Sequence, residues 1–339
     1  MIAFSLSAFL FVFWGFIGLP VLRVFYTQRN LLQNLLLAPA MGVATLLLPI
    51  FWLNHAGLPI GKFAIPLTVG ICLMQGAVWV WLRPIVPLKK YLPFLGILLL
   101  ALFLTGRPML LYGFDWASYC NGDMATYVLS ADRLLNHGFF DSPDAETLAS
   151  GREYSLGLWF LSVVAGHRSG TEMIIAWAVK LTGISGPNIY MPLLLSLHLV
   201  MISAAAGLVL QGRRFRLASL LTVFLLGISA LATLGTTYQL MPQVIGISFL
   251  SCCTALLLRP FNELRRRNLI KHGVVAGFMI AALFTVYPEV SPFLFLAYGI
   301  YVVARFLQKN SQRKLIAKSY FSSGATALSA WLILLNNYW

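Results

Sequence analysis

The chain has 339 residues, of which 59% are hydrophobic and 10% charged, with a mean hydropathy of +0.82 and a net charge of +14. A soluble domain carries about 25% charged residues, so this chain has too little polar surface to cover a water-exposed globule. The excess of Lys and Arg does not read as a nucleic-acid patch either, because it falls in short clusters between apolar runs, as the positive-inside rule gives for membrane proteins.

Crossing ~30 Å of hydrocarbon takes roughly 20 mostly apolar residues. By that measure the sequence predicts an all-α, polytopic membrane bundle of about ten spans: 2–22, 35–54, 63–82, 93–112, 186–210, 217–234, 242–258, 272–287, 291–307 and 319–336. The first span has no basic residue ahead of it and is followed by Arg23 and Arg29. That flank suits a first span with its N-terminus outside, not a cleaved signal peptide. Cys72, Cys252 and Cys253 fall within apolar runs and Cys120 in a loop, without CxxC spacing, which predicts no structural disulfide and no zinc site.

Between the fourth and fifth spans lies a polar loop, 113–185, that holds eight of the ten carboxylates; no acid precedes Asp115. Ionisable groups are costly in lipid and gather where water or a substrate is. Within the loop, Asn121–Gly138 has helical logic. Asn121 or Asp123 can cap its start and Gly138 can close its end. Met124, Tyr127, Val128, Ala131, Leu134 and Leu135 recur at three- and four-residue steps, so they form one apolar face. Residues 123–137 are therefore expected to lie along the membrane surface. Asp123 is then either a cap or a carboxylate held at the boundary between lipid and water. Two shorter apolar stretches, 155–166 and 173–184, are below spanning length and read as helices at the surface or dipping in as a hairpin.

The later connections complete the charge pattern. Eighteen of the 24 Lys and Arg residues lie in connections that share one side under the ten-span count: from Arg23 and Arg29 through Arg83, Lys89, Lys90, 213–216 and 259–271 to 305–318. The cytoplasm is their expected side, which leaves 113–185 outside. Thr236–Gln243 is the second external turn; Gln239 and Gln243 there suit exposed helix-end amides somewhat better than sugar hydroxyls. His198 sits mid-span, where one bond to a neighbouring helix would account for it. Glu289, in Tyr287-Pro-Glu-Val-Ser-Pro292, is the only other acid on the loop's side, whereas Glu263 lies among arginines. The chain stops at Trp339 directly after an apolar run, and is expected to continue in the natural protein.

An in-to-out span at 93–112, an external loop that opens with Asp123 in a short amphipathic helix, the turn Tyr154-Ser-Leu-Gly157, a pair of surface helices and further spans together resemble the GT-C superfamily of polyprenyl-phosphate-sugar-dependent glycosyltransferases. The resemblance covers 93–339, read as a seven-span module preceded by a three-span extension at 1–92. Tyr154-Ser155 stands where related sequences commonly have Tyr-Pro. The resemblance implies inverting transfer from a lipid-phosphate sugar to a glycan, lipid or protein acceptor on the non-cytoplasmic face, in a bacterial inner membrane. It implies Asp123 as general base, supported by Glu289. Arg133, Arg152 and Lys180 are the candidate cations for the leaving phosphate, and Tyr127, Gln239 and Gln243 the candidate polar contacts. It leaves the use of a divalent cation, Mg or Mn, open. The rival readings are a transporter or flippase of a lipid-linked sugar and a non-catalytic scaffold. Spans 35–54 and 242–258 carry no charge, which counts against the transporter.

Overall fold

In lipid every backbone N–H and C=O must be bonded within its own segment, so long apolar runs become long helices. The computed structural model describes all residues except 26–30, 84–86, 120–121, 152–154, 212–214, 260–265, 308–310 and 336–339. The described residues are helical, with no strand. Four long helices open the chain: α1 (Ile2–Phe25), α2 (Leu31–His55), α3 (Ile60–Leu82) and α4 (Leu88–Tyr112). Four shorter ones follow: α5 (Gly122–Asn136), α6 (Ala145–Ser150), α7 (Ser155–Trp159) and α8 (Gly170–Thr182), with a π turn, Phe160–Val164, after α7. The second half runs α9 (Gly186–Val209), α10 (Arg216–Ile228), α11 (Ala230–Thr237), α12 (Met241–Leu257), α13 (Arg266–Val286), α14 (Ser291–Phe306) and α15 (Ser311–Leu334).

Seven of these are long and apolar enough to cross a membrane: α1 to α4, α9, α13 and α14. The α10–α11 pair makes an eighth if it counts as one span, and it bends by 54° at its break. Ser229 sits at that break and its hydroxyl accepts from the Ala232 N–H at 3.2 Å, which starts α11 in its new direction. At 17 residues α12 is shorter, and α15 carries Arg313, Lys314 and Lys318 in its first half.

Small residues set the closest helix approaches. A Cβ on Gly18 would meet Ala38 O at 2.0 Å, and one on Gly42 would meet Trp14 O at 1.9 Å, so α1 and α2 touch backbone to backbone. Gly207 of α9 receives Leu37 of α2 in the same way. Polar groups fasten that contact: Gln33 Nε2 donates to Gly207 O at 2.9 Å and Ser203 Oγ to Leu36 O at 2.7 Å. The first two helices thus build one buried core with α9, α12 and α13.

The loop helices are drawn into this body. α5 forms over 122–136, one residue earlier at each end than the sequence pattern gives, and buries Tyr127, Ala131 and Leu134 against α8, α3 and α9. Its exit is pinned to the α2–α3 turn. Asn54 Nδ2 donates to Leu58 O at 2.9 Å and to His137 O at 3.1 Å, while the Phe139 N–H donates to Asn54 O at 3.0 Å. Gly138 lies so close to Gly57 that a Cβ would stand 2.6 Å from its Cα. α8 departs from the expected surface helix. Residues 170–178 are all buried, because α8 is packed among α3, α5, α9 and α2 rather than paired with α7 alone. Its apolar residues from Met173 to Ala178 therefore face protein. Gly183, at φ 70°, ends it in the left-handed conformation that favours glycine.

Candidate functional site

The polar side chains that converge sit where α5 and α8 begin and where α13 turns into α14. Arg168 lies in the short connection ahead of α8. Its Nη1 is ion-paired with Glu289 Oε1 in the α13–α14 turn. Its guanidinium carbon stands 5.0 Å from the centre of the Tyr287 ring, within cation–π range. The Tyr127 hydroxyl on α5 lies near enough for the Arg168 charge to act on it. Arg168 therefore joins three elements that are far apart in the chain.

Two more acids surround this cation. Asp123 is exposed on the first turn of α5, one turn before Tyr127. Glu172 is 2% exposed on the first turn of α8, one turn beyond Arg168. Its Oε2 has no partner among the described residues. Burial pushes the Glu172 carboxyl up to about 7, against its own backbone N–H and Arg168, which favour the charged form. Burial likewise raises the Tyr127 phenol to about 12, helped by the charges of Asp123 and Glu172 and opposed by Arg168. His167 is held below the usual histidine range by burial first and by Arg168 second, with Asp123 pulling the other way. Asp123, Tyr127, His167, Arg168, Glu172 and Glu289 thus act on one another within a single polar cluster.

The structure brings Asp123, Tyr127 and Glu289 to this cluster and leaves other candidates out of it. Arg133 is 4% exposed and spends its fork on backbone, reaching Phe139 O at 3.3 Å and Asp141 O at 2.5 Å. It closes the C-terminal turn of α5, held there because the chain reverses at Gly138 and presents two carbonyls side by side. Lys180 is exposed in the last turn of α8, at the opposite end of that helix from Glu172. Gln239 is fully buried at φ 63°, with its carbonyl accepting from Tyr190 Oη at 2.5 Å and its Nε2 on Met191 Sδ at 3.7 Å. It shapes the α11–α12 turn. Gln243 is half-buried in the first turn of α12. Arg152 and the Tyr154 turn residue lie outside the described residues, as do Cys120, Asn121 and Glu263. His198 shares a 3.0 Å hydrogen bond with Thr236 Oγ1 across two helices.

His167, Arg168 and Glu172 are the members that sequence reasoning passed over. Their signal was present: Glu172 opens an otherwise apolar stretch and Arg168 stands one turn before it, but the stretch read as a surface helix. Among the described residues no three His, Cys, Asp or Glu side chains stand close enough to hold a metal ion, and Glu289 is taken by Arg168.

The helices and this cluster together define an integral, multi-pass membrane protein with one polar cluster at one end of its bundle. No family model, no curated protein and no solved structure matches the chain.

Proposed function

We propose that the chain is a membrane glycosyltransferase that moves a sugar from a polyprenyl-phosphate carrier to a glycan, lipid or protein acceptor. In this reading the bundle has ten spans, 93–339 carry the transfer machinery of GT-C type, and the cluster faces the non-cytoplasmic side of a bacterial inner membrane. One observation carries the proposal. A water-facing acid, Asp123, opens α5, which packs on α8, and a cation, Arg168, stands just ahead of α8, paired with Glu289 and set against the Tyr287 ring. Transfer needs that pairing of an acid and a cation.

The acceptor oxygen attacks the anomeric carbon as the bond from that carbon to the phosphate oxygen breaks. The electron pair leaves with the phosphate, and the carbon inverts. Asp123 takes the acceptor's proton. Arg168 donates to the phosphate as its charge grows; its Nε has no partner among the described residues. Glu289 keeps the guanidinium in place between turnovers. Tyr127, buried and held neutral, presents its hydroxyl to the same space.

The test is transfer from polyprenyl phosphates loaded with labelled sugars, in membranes containing the chain. Asp123→Asn should lower the rate by ~10²–10⁴ while the protein keeps its melting temperature, because an amide cannot take the proton. Asparagine caps a helix as well as aspartate does, so transfer at the wild-type rate would reduce Asp123 to a cap. Glu289→Gln should cost less. A chain that moves loaded carriers across the bilayer without transferring sugar would instead be a flippase.

A further inference from the structure

Arg168 is only partly engaged. Its Nη1 is paired with Glu289 and its guanidinium carbon lies 5.0 Å from the centre of the Tyr287 ring, but its Nε is buried and has no partner among the described residues. One turn on, the Glu172 side chain is 2% exposed, and its Oε2 is likewise without a partner among them. A buried donor and a buried acceptor are thus both left open within one turn of chain, and the charge of Arg168 acts on the carboxyl. The bland account of Glu172 is a capping box, since Ser169-Gly-Thr-Glu172 has the spacing of one. That box is not closed: the Ser169 side chain makes no capping bond, and Glu172 Oε2 bonds none of the described residues.

The two carboxylates that compete for this cation stand in unlike surroundings. Glu289 is 51% exposed, so water solvates it whether or not it is paired, and such a pair holds weakly. Glu172 is sealed, so its ionised form has no water to turn to and requires a counter-ion. Side chains on a helix lean toward its N-terminus, which directs Glu172 back toward Arg168. The other groups around the carboxyl cannot neutralise it. Tyr127 on α5 and Tyr190 on α9 both feel its charge, but they are phenols, and Asp123, which acts on the same two phenols, is a further acid. His167 is held below the usual histidine range by burial first and by Arg168 second. From α2, α3, α12 and α13, which also pack on α8, no charged group among the described residues acts on it.

The geometry points to Arg168 as a two-position arm, paired outward with Glu289 while Glu172 is protonated and drawn inward onto Glu172 once that proton has left for water. The exchange gives up a weak, exposed pair and relieves a buried charge, so the inward position wins when Glu172 is ionised. Burial holds the Glu172 proton up to about 7, which puts the exchange near neutral pH. Below that pH the carboxyl is neutral and Arg168 stays with Glu289; above it, Arg168 turns inward. The arm stands on the ion pair and the buried carboxyl, and does not require sugar transfer. One consequence rests on the transfer reading: the inward position takes the cation away from the leaving phosphate and sets an alkaline limit on the rate.

The test reads the reactivity of Arg168 toward phenylglyoxal, using the full chain in nanodiscs of phosphatidylcholine, which leave both faces open. Modified peptides are quantified by mass spectrometry. Exposed Arg83 is the internal standard, because the reagent's own pH dependence cancels in the ratio of Arg168 to Arg83. Between pH 6 and pH 8.5 that ratio should fall by roughly fivefold or more in the wild type, since a carboxyl titrating near 7 is almost fully ionised by pH 8.5. Glu172→Gln, which keeps the shape and cannot ionise, should hold the ratio at its pH 6 value throughout. His167→Gln should leave the fall in place. Glu289→Gln removes the outward partner and should move the fall to lower pH. A flat ratio in the wild type, the same fall in Glu172→Gln, or a fall that His167→Gln abolishes would overturn the arm. Should Glu172→Gln not fold, Glu289→Gln decides, and a fall at unchanged pH there would overturn it as well. No sugar transfer enters this assay, so its failure and the failure of the transfer reading are told apart.

Discussion

Arg168 and Glu289 are 121 residues apart in the chain and form one ion pair, which ties the connection ahead of α8 to the α13–α14 turn. Their side chains are 18% and 51% exposed, so the pair lies in a region of high dielectric. Such pairs contribute about 0–1 kcal/mol. A double-mutant cycle with Arg168→Gln and Glu289→Gln, read by thermal melting in detergent, should return a coupling within that range. The larger effect of Arg168→Gln should fall on the cluster's titration: without the cation, the Glu172 carboxyl should move up further from its usual range.

Glu172 sets the pH dependence. Its folded-state value, about 7, is above the ordinary 4.5, so the folded protein holds this proton more tightly than the unfolded chain. Its contribution to stability is therefore full below 4.5 and is lost as pH rises through 7, by roughly 3 kcal/mol at most. Glu172→Gln should melt higher than the wild type at pH 8 and close to it at pH 5. Equal melting of the two proteins at pH 8 would show that Glu172 is not strained by charge. The facing groups, Arg168, Tyr127 and Asp123, are unchanged in that comparison.

Arg133 should behave as a structural residue. Its removal leaves Phe139 O and Asp141 O without their donor in a partly buried turn. Arg133→Met should lower stability by about 1.5–3 kcal/mol, the range for hydrogen bonds to charged groups. Arg133→Lys should recover little, since one ammonium lacks the planar fork. A variant that melted normally but lost transfer would return Arg133 to the substrate.

The α1–α2 contact has no room to spare. Gly42→Val would push its side chain into Trp14 O. Overpacking of a close contact costs about 1–3 kcal/mol, and here the obstacle is backbone. Gly42→Val should fold with a sharply reduced yield, and Gly96→Val, at a glycine with open space around it, should not. The yields are read by fluorescence-detected size exclusion.

Sidedness is checked by labelling. A cysteine at Ser142 should react with a membrane-impermeant reagent from outside and one at Arg266 should not, given 18 of 24 basic residues in the connections of the other side. The reverse pattern would turn the whole cluster toward the cytoplasm.

The sequence by itself determined that the chain is helical and that several of its helices are long and apolar enough to cross a membrane, seven of the ten expected spans passing that measure singly, because apolar length and the need to bond every amide are properties of each segment alone. It also located α5, whose apolar residues recur at helical spacing, and it marked the acidic loop as the polar end of the protein. It could not tell a surface helix from a buried one at α8, since an apolar run of 13 residues reads the same whether lipid or protein surrounds it. Only the tertiary structure decided that Glu172 is buried and that Arg168 meets Glu289. It also decided that Arg133 turns inward to Phe139 and Asp141 instead of outward. Those outcomes depend on which helix ends lie side by side, and side chains up to 121 residues apart meet only when the packing of α5, α8 and α13 brings their ends together.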